Sequence, residues 1–220
     1  MNVFDIIGPV MVGPSSSHTA GAVRIGRMAR EVLGGQPAAV CIELYGSFAQ
    51  TGKGHGTDKA IIAGLLGMSP DDERIRDSME IAHKAGMQFK FKNSAFKDVH
   101  PNTTVIDAVD QKGNKAIVQG ASVGGGRIII NKINGIDVDF GGDYYTLLIP
   151  HDDTPGVIAA VTNLLAANDI NIGSMKVCRS CRGGEAMMVI EIDQAMQKDL
   201  KILIERIRKV KKVILIEPTR

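Results

Sequence analysis

The sequence predicts an α+β protein in two parts, a mixed α+β N-terminal domain over residues 1–142 and a C-terminal βαββαβ unit over residues 143–220. Two observations carry this. Segments of helical and strand periodicity alternate between clusters of glycine, which lie at residues 8–35, 46–67, 113–142 and 183–184. Beyond Gly141-Gly142-Asp143, a candidate hinge, the pattern changes to six short segments of regular length.

In the first part, Ala22, Val23, Ile25, Met28, Ala29 and Val32 fall at helical spacing and predict a helix over residues 19–33, closed by Gly34-Gly35. A strand over residues 39–45 follows, then a polar glycine-rich loop over 46–56 and a helix over 57–66. Ser69-Pro70-Asp71-Asp72-Glu73 has the cap, the first-turn proline and the acids of a helix start, predicting a helix that runs to about residue 84. Strands are expected near 87–92, 103–109, 115–120 and 126–133, with Gly113 in a hairpin turn.

In the second part the order is a strand over 144–149, a helix over 155–167, strands over 170–179 and 186–192 around Gly183-Gly184, a helix over 197–208 and a strand over 212–216. That order is the ferredoxin-like split βαβ unit, with two helices on one face of an antiparallel sheet.

Composition excludes several classes. Hydrophobic residues are 44 % and charged residues 23 %, as in ordinary globular chains. Aromatic content is 4 %, so the core is aliphatic. A net charge of +2 argues against nucleic-acid binding. The basic run over 198–212 is interleaved with Leu200, Leu203, Ile204 and Ile207 and reads as the solvated face of a helix. No apolar run approaches bilayer length, and the first residues lack the pattern of a leader peptide. Three sparse cysteines, Cys41, Cys178 and Cys181, suit a reducing cytoplasm. Cys178 and Cys181 lack further ligands for a metal. Cys41 is expected in the core, and His83 and His100 on the surface.

Between the first strand and helix of the C-terminal unit stands Ile149-Pro150-His151-Asp152-Asp153-Thr154-Pro155-Gly156. A helix N-terminus there suits a carboxylate, with Pro155 opening the helix. The plainer alternative makes Asp153 a helix cap and His151 a solvated loop residue. Residues 144–217 resemble an ACT domain, in particular that of D-3-phosphoglycerate dehydrogenase. His151, Asp153, Pro155, Gly156 and Asn171 occupy its motif positions. The resemblance implies an amino-acid effector, L-serine or a related one, bound where two such domains self-associate edge to edge.

Two segments of the first part carry chemistry. Gly13-Pro14-Ser15-Ser16-Ser17-His18-Thr19 puts four hydroxyls and an imidazole at a helix mouth, more than a cap requires and well suited to an anion. Gly52-Lys53-Gly54-His55-Gly56-Thr57-Asp58-Lys59 sets His55 between glycines. An imidazole, with an ordinary pKa of about 6.5, suits proton abstraction near neutrality.

Together these segments closely resemble the β region of iron–sulfur L-serine dehydratases, over residues 1–135. In the split form of that family a separate α chain ligates the [4Fe–4S] cluster, and this chain lacks the cysteines a cluster needs. The resemblance implies that Ser15, Ser16, Ser17 and Thr19 hold the substrate carboxylate and that His55 removes the α-proton. An open iron of the α chain's cluster then acts on the hydroxyl. His18 is the competing base, or an acid or second substrate contact. A rival reading is a stand-alone amino-acid-binding regulator, which has no need of His55 in its glycine setting.

Overall fold

A computed structural model describes residues 9–94 and 99–218. The leader expectation rests largely on residues 1–8, outside the described residues. By contact the chain divides into two compact units, Met1–Asn134 and Gly135–Arg220.

The first unit begins with a π-helical turn, Ser16–Gly21, that runs into α1 (Ala22–Leu33). Then follow β1 (Ala39–Tyr45), α2 (Gly46–His55), α3 (Thr57–Leu65), a 3-10 turn at Glu73–Asp77, α4 (Ser78–Lys84), β2 (Gln88–Ser94), β3 (Thr103–Val109), β4 (Lys115–Gly124) and β5 (Arg127–Ile133). Within this unit the strands lie in the order β2-β1-β3-β4-β5. β1 and β2 are parallel and the other pairs antiparallel. Residues alternate across the sheet: Val40, Ile42, Leu44, Ile106, Val118 and Ile130 are buried. Cys41, expected in the core, is half-buried, because it is out of phase with Val40 and Ile42.

α1 packs on β4 and against α3. Two glycines bring these helices together. A Cβ on Gly26 would lie 2.4 Å from the Ile61 carbonyl oxygen, and one on Gly64 would lie 2.1 Å from that of Val23.

The sequence expectation fails at the segment read as a loop over residues 46–56, which is helix α2. Glycine disfavours helix by about 1 kcal/mol per residue, but here the helix buries Phe48 completely. The helix expected from Ser69 is displaced as well. Asp72 accepts the Arg74 N–H at 2.9 Å, so the segment opens as a 3-10 turn before α4.

The second unit holds β6 (Ile136–Phe140), β7 (Tyr145–Asp152), α5 (Val157–Ala167), β8 (Ile172–Arg179), β9 (Glu185–Ile192), α6 (Lys198–Glu205) and β10 (Ile214–Ile216). Its sheet has the order β10-β7-β9-β8, antiparallel throughout, as the βαββαβ reading expects. Leu147, Ile149, Met188 and Ile190 pack with Val161, Leu165, Leu200 and Ile204 of the two helices. β6 has no counterpart in the expectation, although Ile136-Asp137-Val138-Asp139-Phe140 alternates as a strand should. It runs against β8 and β9, where Asp139 pairs with Lys176 at 2.5 Å. Pro155 does not open α5. Gly156, left-handed at φ 90°, is its N-cap, and the helix starts at Val157.

No helix among the described residues is long and apolar enough to cross a membrane. The same residues contain no group of three or more His, Cys, Asp or Glu able to hold a metal ion.

Candidate active site

The π-helical turn is a rare backbone form, found preferentially at functional positions. Ser15 caps it: its Oγ accepts the His18 N–H at 3.3 Å and lies 3.4 Å from His18 Nδ1. Ser16 and Ser17 are half-buried in the turn, and Thr19 is 2 % exposed. The Thr19 Oγ1 has no hydrogen-bond partner.

α2 delivers the rest of the site. Extended Tyr45 precedes it, and Ser47 and Thr51, one turn apart, lie 3.2 Å and 3.1 Å from His18 Nε2. Thr51 Oγ1 donates its hydrogen to the Ser47 carbonyl at 2.9 Å. Its lone pairs therefore remain for His18, and the network is satisfied when Nε2 carries the proton and Nδ1 accepts from Ser15. The edge of Phe48 supports the ring, with centroids 5.3 Å apart. Burial holds the His18 pKa below its ordinary value, and the charge on His55 lowers it further, against a raising hydrogen bond to the Ser47 backbone. A neutral imidazole is the result near neutrality.

His55 ends α2, and the left-handed Gly56, φ 70°, passes the chain directly into α3. The His18 and His55 rings are 4.9 Å apart between centroids, inclined at 44°. An open cavity of about 340 Å³ lies beside His55, bounded by Gly13, Thr19, Lys53, His55, Lys59 and Arg76. The structure thus brings the serine-rich turn and the glycine-flanked imidazole to one place. The sequence reading missed Ser47, Thr51 and Phe48, which were hidden inside a presumed loop. Helical spacing of Ser47 and Thr51 was the available signal.

In the second unit the expected effector residues divide between two ends of the sheet. His151 is 2 % exposed, with Nδ1 2.9 Å from the Ile149 carbonyl oxygen; it is not a loop residue, because β7 extends through Asp152. Asp153 makes no cap. Its Oδ2 accepts the Gly183 N–H at 3.0 Å and pairs with Arg179 at 3.2 Å. The first of these, then Arg179, holds its carboxyl below the usual range. Pro155 and Gly156 line a groove of about 450 Å³ with Arg208 and Lys209. Asn171 donates to Asp193 Oδ2 at 2.6 Å. Register places it at the other end: β8 begins opposite Ile192, which pairs with Tyr145, whereas Asp152 pairs with Glu185.

A family model described as serine dehydratase beta chain matches residues 2–85, and one described as ACT domain matches residues 145–211. The chain is 49 % identical over 193 residues to a probable L-serine dehydratase, beta chain, of Bacillus subtilis (strain 168), covering 88 % of this chain and 87 % of that one. It is 40 % identical to an L-serine dehydratase, beta chain, of Peptoniphilus asaccharolyticus, covering 91 % and 90 %. It is 28 % identical to a D-3-phosphoglycerate dehydrogenase of Bacillus subtilis (strain 168), covering 80 % of this chain and 33 % of that protein. With a site of two facing imidazoles and a hydroxyl-lined turn, and with relatives matching over nearly its whole length, the chain belongs to the L-serine dehydratase beta-chain family.

Proposed function

We propose that this chain is the β subunit of a cytoplasmic L-serine dehydratase, working with an α chain to convert L-serine to pyruvate and ammonia. The observation that carries the reading is that His18, on the serine-rich turn, packs its ring 4.9 Å from that of His55, which lines a cavity together with Thr19 of the same turn. The names of the relatives favour it over a stand-alone sensor, which leaves the imidazole pair without a task.

The family resemblance favours a [4Fe–4S] group held by the α chain, which would supply Lewis-acid assistance to the departing hydroxyl. The hydroxyls of Ser15, Ser16, Ser17 and Thr19, with backbone N–H groups of the turn, bind the substrate carboxylate. His55 takes the proton from Cα. The electron pair left behind forms the Cα–Cβ double bond as the Cβ–O bond breaks and hydroxide departs. The aminoacrylate then tautomerises to an imine, which water hydrolyses to pyruvate and ammonia. His18, half-buried and with its pKa held below the ordinary value, adds no positive charge beside His55 near neutrality.

The C-terminal unit senses an amino acid. Asp153 and Asn171 are at opposite ends of one sheet, and β8 is its edge. Two copies paired antiparallel along β8 set the Asp153 end of one against the Asn171 end of the other. His151, Pro155 and Gly156 form the wall behind Asp153.

The test is His55→Ala in the complex reconstituted anaerobically with the α chain. Turnover on L-serine should fall by about a hundredfold or more, with the cluster absorption unchanged. Turnover retained at the wild-type rate overturns the assignment of the base.

A further inference from the structure

The cavity beside His55 is unbalanced in charge. Lys53, Lys59 and Arg76 line it, and among the described residues no carboxylate does. Arg76 reaches Asp77 only at 3.5 Å, between its Nε and Oδ2, on the surface. Lys53 belongs to the last turn of α2, where a cation offsets the carbonyl end of the helix. Lys59 has the opposite placement, in the first turn of α3, where positive charge is unfavourable unless an anion accompanies it.

That helix start is also left open. Its N-cap is Gly56, which has no side chain to accept the first N–H groups. Asp58 takes one of them, the Lys59 N–H, through Oδ1 at 2.8 Å. Across the cavity the Thr19 hydroxyl is buried without a partner. The backbone at Lys59 is pinned, since its carbonyl accepts from the fully buried Ser78 at 2.7 Å.

We propose that Lys59, assisted by Arg76, binds the carboxylate of the hydroxy amino acid at the N-terminus of α3, and that this charge pair sets Cα beside His55. The inference rests on the dehydratase reading and adds to it the residues that recognise the free acid. The site so built selects a small amino acid with an unmodified carboxylate. The serine-rich turn then supplies hydroxyl contacts, and the full opposite charge comes from α3.

Three complexes with the α chain test it: wild type, Lys59→Gln and Lys59→Arg, each assayed with L-serine and with L-serinamide. Lys59→Gln should raise KM for L-serine about tenfold or more, the effect of losing one charge-assisted hydrogen bond, with a smaller change in kcat. It should also narrow the preference for L-serine over the amide. Lys59→Arg should keep KM within about threefold, because the charge remains. A Lys59→Gln complex with unchanged KM, or one that loses both substrates equally, overturns the proposal. The β chain alone supplies a second measurement. Acetate titrated into the full chain should shift the ring NMR signals of His55, and Lys59→Gln should abolish the shift; an identical shift in both proteins overturns the proposal. If the wild-type complex makes no pyruvate, the dehydratase reading fails, and the acetate titration still decides the anion site.

Discussion

The His18 and His55 rings approach to 4.9 Å between centroids while only His18 is hydrogen-bonded on both ring nitrogens, to Ser15 on one side and to Ser47 and Thr51 on the other. A charged imidazole so close discourages the protonation of His18. For His18 the larger cause is burial, and His55 adds to it. His55→Gln should therefore move the His18 titration up, toward but not to the ordinary value, as read from its ring protons by NMR against pH.

The same depression makes stability depend on pH. A histidine whose pKa is lower in the folded chain than in the unfolded one binds fewer protons when folded. Stability then rises with pH through a window that closes near the unfolded value of about 6.5, and it is lost as the pH falls through that window. Urea unfolding between about pH 5 and about pH 7 should show His18→Gln losing less stability on acidification than wild type.

Ser47 and Thr51 hold the His18 tautomer through Nε2. The double variant Ser47→Ala, Thr51→Val removes both contacts from a partly exposed helix turn and should leave the fold intact. Reconstituted turnover should fall by about tenfold, the equivalent of one ordinary hydrogen bond. Circular dichroism and the turnover rate together check this.

Gly64 is where α1 and α3 touch. A Cβ there would stand 2.1 Å from the Val23 carbonyl oxygen and 2.8 Å from the Arg27 nitrogen, backbone atoms that cannot turn aside. Gly64→Ala should cost about 2–3 kcal/mol, measured by urea denaturation. Turnover should fall too, since α3 starts at the cavity and α1 continues from the serine-rich turn.

Asp153 and Asn171 provide a complementation test of paired C-terminal units. Asp153→Ala and Asn171→Ala should each abolish effector binding alone. Mixed in equal amounts, they form hybrid pairs in which one of the two sites regains both residues. Calorimetry should recover about a quarter of the wild-type sites, because half of the pairs are hybrids and each hybrid has one intact site.

The βαββαβ order was legible because its apolar faces are regular: Val157, Val161 and Leu165 follow helical spacing, and Ala186 to Ile192 pack as a strand. The site was legible in its residues but not in its form. Gly46 to His55 contains three glycines, and local propensity says loop. The helix exists because Phe48 is drawn completely into the core, a long-range effect that no local window contains. Lys59 escaped notice for a related reason. The helix start at residue 57 was expected, but the significance of Lys59 depends on which cavity that start faces, and sequence alone does not show this.

Gly56 ends one helix and begins the next with no residue to spare. The His55 imidazole at the end of the first and the Lys59 ammonium in the first turn of the second are thereby spaced by the dihedrals of a single amino acid. This ruler is built into a joint of the main chain rather than assembled from distant packing. Substitutions scattered through the hydrophobic interior can alter how firmly the protein folds without changing the distance that the ruler measures.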